Sequence, residues 1–257
     1  MILRLSLLLG ALLLVGFSDP SPQPKPLTPD EALQAGRALV ADILARQPAQ
    51  NFTNTGVLEI GRGTVVPVTF ECVVTPTNWQ NIYTATLSNR VEKFFVIHAS
   101  AQPNVYFSHT NFSEAVPLLG DVPVGQLTPS PPLTTAELSA PFAGSDFWRC
   151  DLGLEFLHWP EQKVVKTELR KTRACKVLES TNPQPTPGTY SRVVTWIDTE
   201  SLGIIHADAY DAAGNWLKEF DPKTVKEVDG QPQLVKMEMY NRQTRSRSQI
   251  EFHFDAK

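Results

Sequence analysis

The chain has 257 residues, 42% of them hydrophobic and 19% charged, which is enough to bury a core and too apolar for disorder. Its net charge of −4, from 23 basic against 27 acidic side chains, excludes the basic footprint of a general nucleic-acid binder. With 14 glycines against 21 prolines, glycine-rich nucleotide loops are not expected, and 3 cysteines are too few for a disulfide scaffold or a four-thiolate zinc site.

Residues 1–18 set one basic residue, Arg4, before an apolar run from Leu5 through Val15. The run falls short of the roughly 20 residues that span a bilayer and ends at the small residues Gly16 and Ser18. It reads as a secretory signal peptide cleaved near Ser18–Asp19. No cysteine precedes Cys72, so no lipid-modified cysteine follows the run, and the mature protein is expected to be exported and soluble. Pro20, Pro22, Pro24 and Pro26 make residues 19–27 a stiff leader, and residues 28–257 are read as a single domain.

A helix is predicted from Thr28 to Gln47. Thr28 can cap it, Pro29 fits the first helical position, and Glu31 completes a capping box. Leu33, Gly36, Leu39, Val40, Ile43 and Leu44 form its apolar stripe, and Pro48 closes the segment.

The period then changes to two. Val66, Val68, Phe70, Cys72 and Val74 alternate with polar neighbours, followed by Tyr83, Ala85 and Leu87, then Phe95 and Ile97, then Val105 and Phe107. Near the C-terminus Val235, Met237 and Met239 oppose Lys236 and Glu238, while Ile250, Phe252 and Phe254 oppose Glu251 and His253. One apolar and one polar face per strand is the antiparallel signature. Turn residues at Asp198–Gly203, Asp211–Asn215 and Asp229–Gly230 separate the later strands into a meander. Between the halves, the proline-rich stretch Val116 to Pro141 reads as a long loop and a candidate lid. Asp151–Trp159 reads as a short helix ended by Pro160.

Chemistry finds little foothold. His98, His109, His158, His206 and His253 show no metal-ligand spacing, and His206 and His253 are read as solvent-facing. Gly144-Ser145-Asp146 lacks the second glycine of a nucleophile elbow. No enzyme activity, cofactor or metal is expected. Lys163, Lys166, Arg170, Lys171, Arg173 and Lys176 crowd around Glu168, either as a docking patch for an anionic partner or membrane surface, or as the solvated outer face of a strand pair. An exported chain favours a Cys150–Cys175 disulfide with Cys72 as a buried hydrophobe, although sequence allows the other two pairings.

Three segments carry a family resemblance. Pro141-Phe142-Ala143-Gly144-Ser145-Asp146-Phe147-Trp148 with Asp151-Leu152 resembles the G-(T/S)-D-F…D-L segment of outer-membrane lipoprotein-sorting (LolA-like) proteins. Tyr190 through Asp198 is similar to that family's Y-x-(K/R)-(I/V)-x-x-W-(I/V)-D strand, and Tyr210 through Gly214 to its Y-D-x-x-G turn. The likeness is good over residues 141–257 and loose over 28–140. It implies a mainly β (α+β) fold: an open antiparallel half-barrel with helices packed on its concave face.

The reading that follows is a periplasmic carrier that shelters acyl chains between sheet and helices, in the sorting of outer-membrane lipoproteins. Phe70, Phe95, Phe107, Val235, Met237, Met239, Phe252 and Phe254 are its candidate lipid-binding residues. Its partners would be lipoprotein acyl chains or other lipid, and an envelope or membrane protein, with the carrier itself a monomer. The rival is an envelope sensor or protein-interaction module of the same fold with a packed core.

Overall fold

A computed structural model describes residues 26–99, 102–111, 131–228 and 231–253. The expected signal peptide, most of the leader, most of the candidate lid, the Asp229–Gly230 turn and Phe254 lie outside the described residues. Helix α1 (Pro29–Leu44) begins as the sequence requires. The Thr28 hydroxyl accepts from the Glu31 N–H at 3.3 Å, and the Glu31 carboxylate accepts from the Thr28 N–H at 2.8 Å. It ends before the expected Gln47, and its buried residues are Gly36, Leu39 and Val40.

Twelve strands follow among the described residues. The first five, β1 (Phe52–Ile60), β2 (Thr64–Val74), β3 (Asn78–Thr86), β4 (Val91–Ala99) and β5 (Val105–Asn111), form one meander. The second meander comprises β6 (Glu161–Arg170), β7 (Arg173–Thr181), β8 (Arg192–Asp198), β9 (Ile204–Tyr210), β10 (Trp216–Val228), β11 (Gln231–Asn241) and β12 (Ser246–His253). Pairing of β1 with β12 joins them into one antiparallel sheet whose ends are β5 and β6. The two end strands do not meet, so the sheet is an open half-barrel.

Helices cover one face, the concave one. α1 packs on β6, where a Cβ at Gly36 would stand 2.3 Å from the Gln162 carbonyl oxygen. Only glycine allows that approach. Within the described part of the proline-rich stretch lies α2 (Thr135–Leu138), a single turn with its own capping box from Thr134 and Glu137. The expected helix over 151–159 is broken. α3 (Arg149–Leu152) stops, Leu154 turns to φ 49°, and a 3₁₀ turn (Glu155–His158) follows. The cause is tertiary: a Cβ at Gly153 would lie 2.4 Å from the Tyr106 ring, and Asn104 Nδ2 donates to the Gly153 carbonyl at 2.9 Å.

The core lies on the concave face in two parts. One gathers Leu58, Val66, Phe94, Phe142, Phe147 and Ile250; the other gathers Leu39, Val40, Phe156, Leu178 and Ile197. Phe220 and Cys150 touch both.

Candidate functional site

Strand direction sorts the molecule into two ends. At one end the segment Pro141–Trp148 folds over the sheet as a plug. Ala143 and Gly144 take positive φ of 51° and 76°, and Ser145 Oγ donates to the Phe142 carbonyl at 2.7 Å, so the turn delivers Asp146 to β12. Asp146 accepts from the hydroxyls of Ser246 at 2.5 Å and Ser248 at 2.8 Å. These bonds explain the Asp of the G-S-D-F motif: it ties the plug to a strand about a hundred residues away, replacing water with fixed donors.

Lys218 of β10 completes the plug. Only 2% exposed, it donates to the Asp146 carbonyl at 2.5 Å, lies 3.7 Å over the Trp148 ring, and stands 3.7 Å from an Asp151 carboxylate oxygen. That same oxygen accepts from the Trp148 N–H at 2.7 Å and from the Tyr190 hydroxyl at 3.4 Å. Burial pushes the Lys218 pKa down to about 8, with Asp151 opposing the shift. Burial raises Asp151 in turn, against the pull of Lys218.

At the other end the concave face stays hollow. A cavity of about 590 Å³ lies there, within the roughly 300–1,000 Å³ of small-molecule sites. Its floor is Val193, Ala207, Ala209, Phe220, Met237 and Met239; Ile43, Leu152, Leu154 and Phe156 roof it. The space exists because β9 offers two alanines where larger residues would meet the roof. Arg46, Arg173, the Ser201–Gly203 turn, Pro222, Val225 and Leu234 also line it, at the end where β6–β7 and β8–β9 turn. Arg46 donates to the Ser201 carbonyl and Arg173 pairs with Asp198 at 2.9 Å, so both guanidinium groups are held by the fold.

One wall is polar. Asn81 and His98 face the cavity from β3 and β4, with Asn81 Nδ2 3.1 Å from His98 Nε2 and the His98 ring stacked on Trp79 at 4.7 Å. Burial pushes the His98 pKa down to about 4, with the Asn104 side chain opposing the shift and His158 adding repulsion. The ring is therefore neutral at neutral pH. Among the described residues no three or more His, Cys, Asp or Glu side chains are placed to hold a metal ion, and no helix is long and apolar enough to cross a membrane.

The candidate lipid-binding residues divide. Met237 and Met239 line the cavity. Phe70 and Phe252 are on the concave face but pack on each other at 5.7 Å, behind Tyr83, which stacks on Phe70 at 4.9 Å and does line it. Val235 falls at an irregularity of the β10–β11 ladder, where the pairing skips from Thr224–Lys236 to Val225–Leu234. The extra residue reverses the alternation, and Leu234 takes the place in the cavity expected of Val235.

Phe95 and Phe107 pair with each other on the opposite, convex face, because Phe94, Val96 and Tyr106 occupy the concave positions. The expected Cys150–Cys175 bond is not formed, and all three cysteines are free. Cys175 packs with Val177 and Trp196 on the convex face, while Cys150 lies between the two concave core clusters, so the sheet separates them. His206 also departs from expectation. It is 3% exposed, bonded to Asp208 at 2.9 Å and packed edge-on against Trp196.

Sequence reading missed Lys218, Ala207 and Ala209. The alternation of Ala207 and Ala209 around Asp208 was a legible strand signal, but nothing local distinguished Lys218 from a surface lysine.

A family model described as "uncharacterized protein" matches residues 131–255. No curated protein matches significantly. Among solved structures, the chain is similar to a DUF1329 family protein from Desulfovibrio piger, at 16% identity and TM-score 0.65 over 86% of this chain and 91% of that one. It is similar to a domain described as outer membrane lipoprotein-sorting from Vibrio parahaemolyticus, at 15% identity and TM-score 0.66 over 86% and 92%. A LolA superfamily protein from Nitrosomonas europaea matches at 15% identity and TM-score 0.54 over 88% and 95%.

Proposed function

From the premise that this chain has the fold of lipoprotein-sorting, LolA-like proteins, we propose that it is an exported carrier of acyl chains. It shelters the apolar tails of lipoproteins or other lipids in the concave cavity, as a monomer and without covalent chemistry. Cleavage of the signal peptide near Ser18–Asp19 and residence in the periplasm belong to the same reading. The observation that carries it is the cavity, floored by Ala207, Ala209, Met237, Met239 and Phe220 and open at one end.

The energetics are adequate. Each methylene moved from water into such a space is worth about 0.8 kcal/mol. A chain of about ten methylenes offsets much of the cost of association without any ion pair. Met237 and Met239 are unbranched, so the floor adapts to chains of different length.

Titration of delipidated protein with a fluorescent fatty-acyl probe tests this. Saturable binding, displaced by an acylated peptide and lost in Met239→Asp with the fold intact by circular dichroism, supports the carrier. Absence of binding at micromolar probe, with the fold intact, overturns it in favour of the protein-interaction module.

A further inference from the structure

We propose that the β6–β7 hairpin, beside the cavity opening, is a docking finger for an anionic lipid surface. This deepens the carrier reading by naming the partner with which cargo is exchanged, and it is tested separately from cargo binding.

Residues 163–176 hold six basic side chains against the single acid Glu168; the fold pairs Lys163 with Glu179, Lys166 with Glu168, Lys171 with Asp221 and Arg173 with Asp198, and leaves Arg170, stacked over Trp196, and the exposed Lys176 outside these pairs. On this hairpin sit two large apolar side chains that the fold leaves in water. Leu169 is 75% exposed, the highest of any large hydrophobic among the described residues, and Val165 is 44% exposed. Val165 stands at a break in the β6–β7 register between Val164 and Lys166, which takes it out of the regular alternation. Leu169 lies two residues before Lys171, where the tip begins.

The tip is fixed. Lys171 and Thr172 both have positive φ, 49° and 66°, as a tight hairpin turn requires. Lys171 also bridges to Asp221 and donates to the Pro222 carbonyl at 3.2 Å, anchoring the tip to β10. Pro222 and the 59% exposed Val225 of that strand line the cavity opening. The finger and the opening therefore move as one piece. Basic residues around a protruding Leu fit an anionic bilayer surface, where apolar tips enter the headgroup layer and each Lys or Arg adds attraction. A lipid leaving that surface meets the apolar opening without crossing water.

The test is co-sedimentation of the full mature chain with phosphatidylcholine vesicles, with and without phosphatidylglycerol. Binding is expected only where phosphatidylglycerol is present, and it weakens with added salt. Lys176→Gln should weaken it about fivefold, the effect of one exposed basic residue near a charged membrane surface. Leu169→Gln should weaken it several-fold, and neither variant should change affinity for the soluble acyl probe. Equal binding to neutral vesicles, or no vesicle binding by protein that takes up the probe, overturns the docking proposal and leaves the carrier standing. Vesicle binding without probe uptake overturns the carrier and leaves docking. A dimer in light scattering that Leu169→Gln dissolves would assign the exposed edge to a second copy and overturn the membrane.

Discussion

The two ends of this half-barrel share one sheet and differ in what stands on it. At the plugged end Phe142 and Phe147 are each 1% exposed and every polar group of the Asp146 side chain is bonded to β12. At the open end the same strands carry Ala207, Ala209, Met237 and Met239 around about 590 Å³ of space. On β10, Lys218 clamps the plug where it borders the cavity, and Phe220, two residues on, reaches both core clusters and the cavity. The backbone thus fixes where side chains point, and their size and polarity decide whether a region is a fastening or a container.

Breaking the fastening gives the largest expected effect. Lys218→Ala leaves Asp151 buried without its cation and removes the contact over Trp148, a loss of about 3–5 kcal/mol in urea denaturation. The paired change Lys218→Met with Asp151→Leu should restore most of it, because no lone buried charge remains. A loss below about 1 kcal/mol for Lys218→Ala would show that the plug holds without its clamp.

Acid sharpens the contrast at the open end. The folded pKa of His98 lies at about 4, below its ordinary 6.5. The unfolded chain therefore binds the proton first as pH falls. Stability is full above pH 6.5 and is lost progressively between 6.5 and 4, by up to something on the order of 3 kcal/mol from this one ring. His98→Asn should flatten the slope of stability against pH in that window, measured by denaturant midpoints. An unchanged slope would locate the acid-sensitive groups elsewhere, with His158, also held low by burial, as the next to substitute.

Much of this was legible in the residues. The Thr28–Glu31 capping box is local chemistry, and both meanders follow the period-two alternation of strands such as β2 and β12. What alternation does not give is the face. In β4 the run Phe94-Phe95-Val96-Ile97 is apolar on both sides, so Phe95 was as good a candidate as Phe94 until the helices were placed. Val235 was misassigned because an irregularity in the ladder has no local marker there. Lys218, His206 and the separation of Cys150 from Cys175 depend on partners distant in sequence or on the opposite side of the sheet, where single-strand patterns carry no information.

The smallest expected effect is the most direct test of the difference between the ends. Adding bulk to a well-packed core costs about 1–3 kcal/mol, since neighbours must leave their rotamers. Ala85, fully buried in the core cluster of the plugged end, meets that condition, and Ala85→Leu should destabilise by this amount. Ala207, 6% exposed, faces the cavity, where the added carbons enter space that is already open. Ala207→Leu should then change the denaturant midpoint by the equivalent of less than about 1 kcal/mol, because the cavity term that penalises voids now works in its favour. The same change fills volume that an acyl chain needs, so affinity for the fluorescent probe should fall while that of Ala85→Leu stays at the wild-type value. Equal destabilisation by the two substitutions would mean that the open end is packed in solution, and the distinction between fastening and container would not survive it.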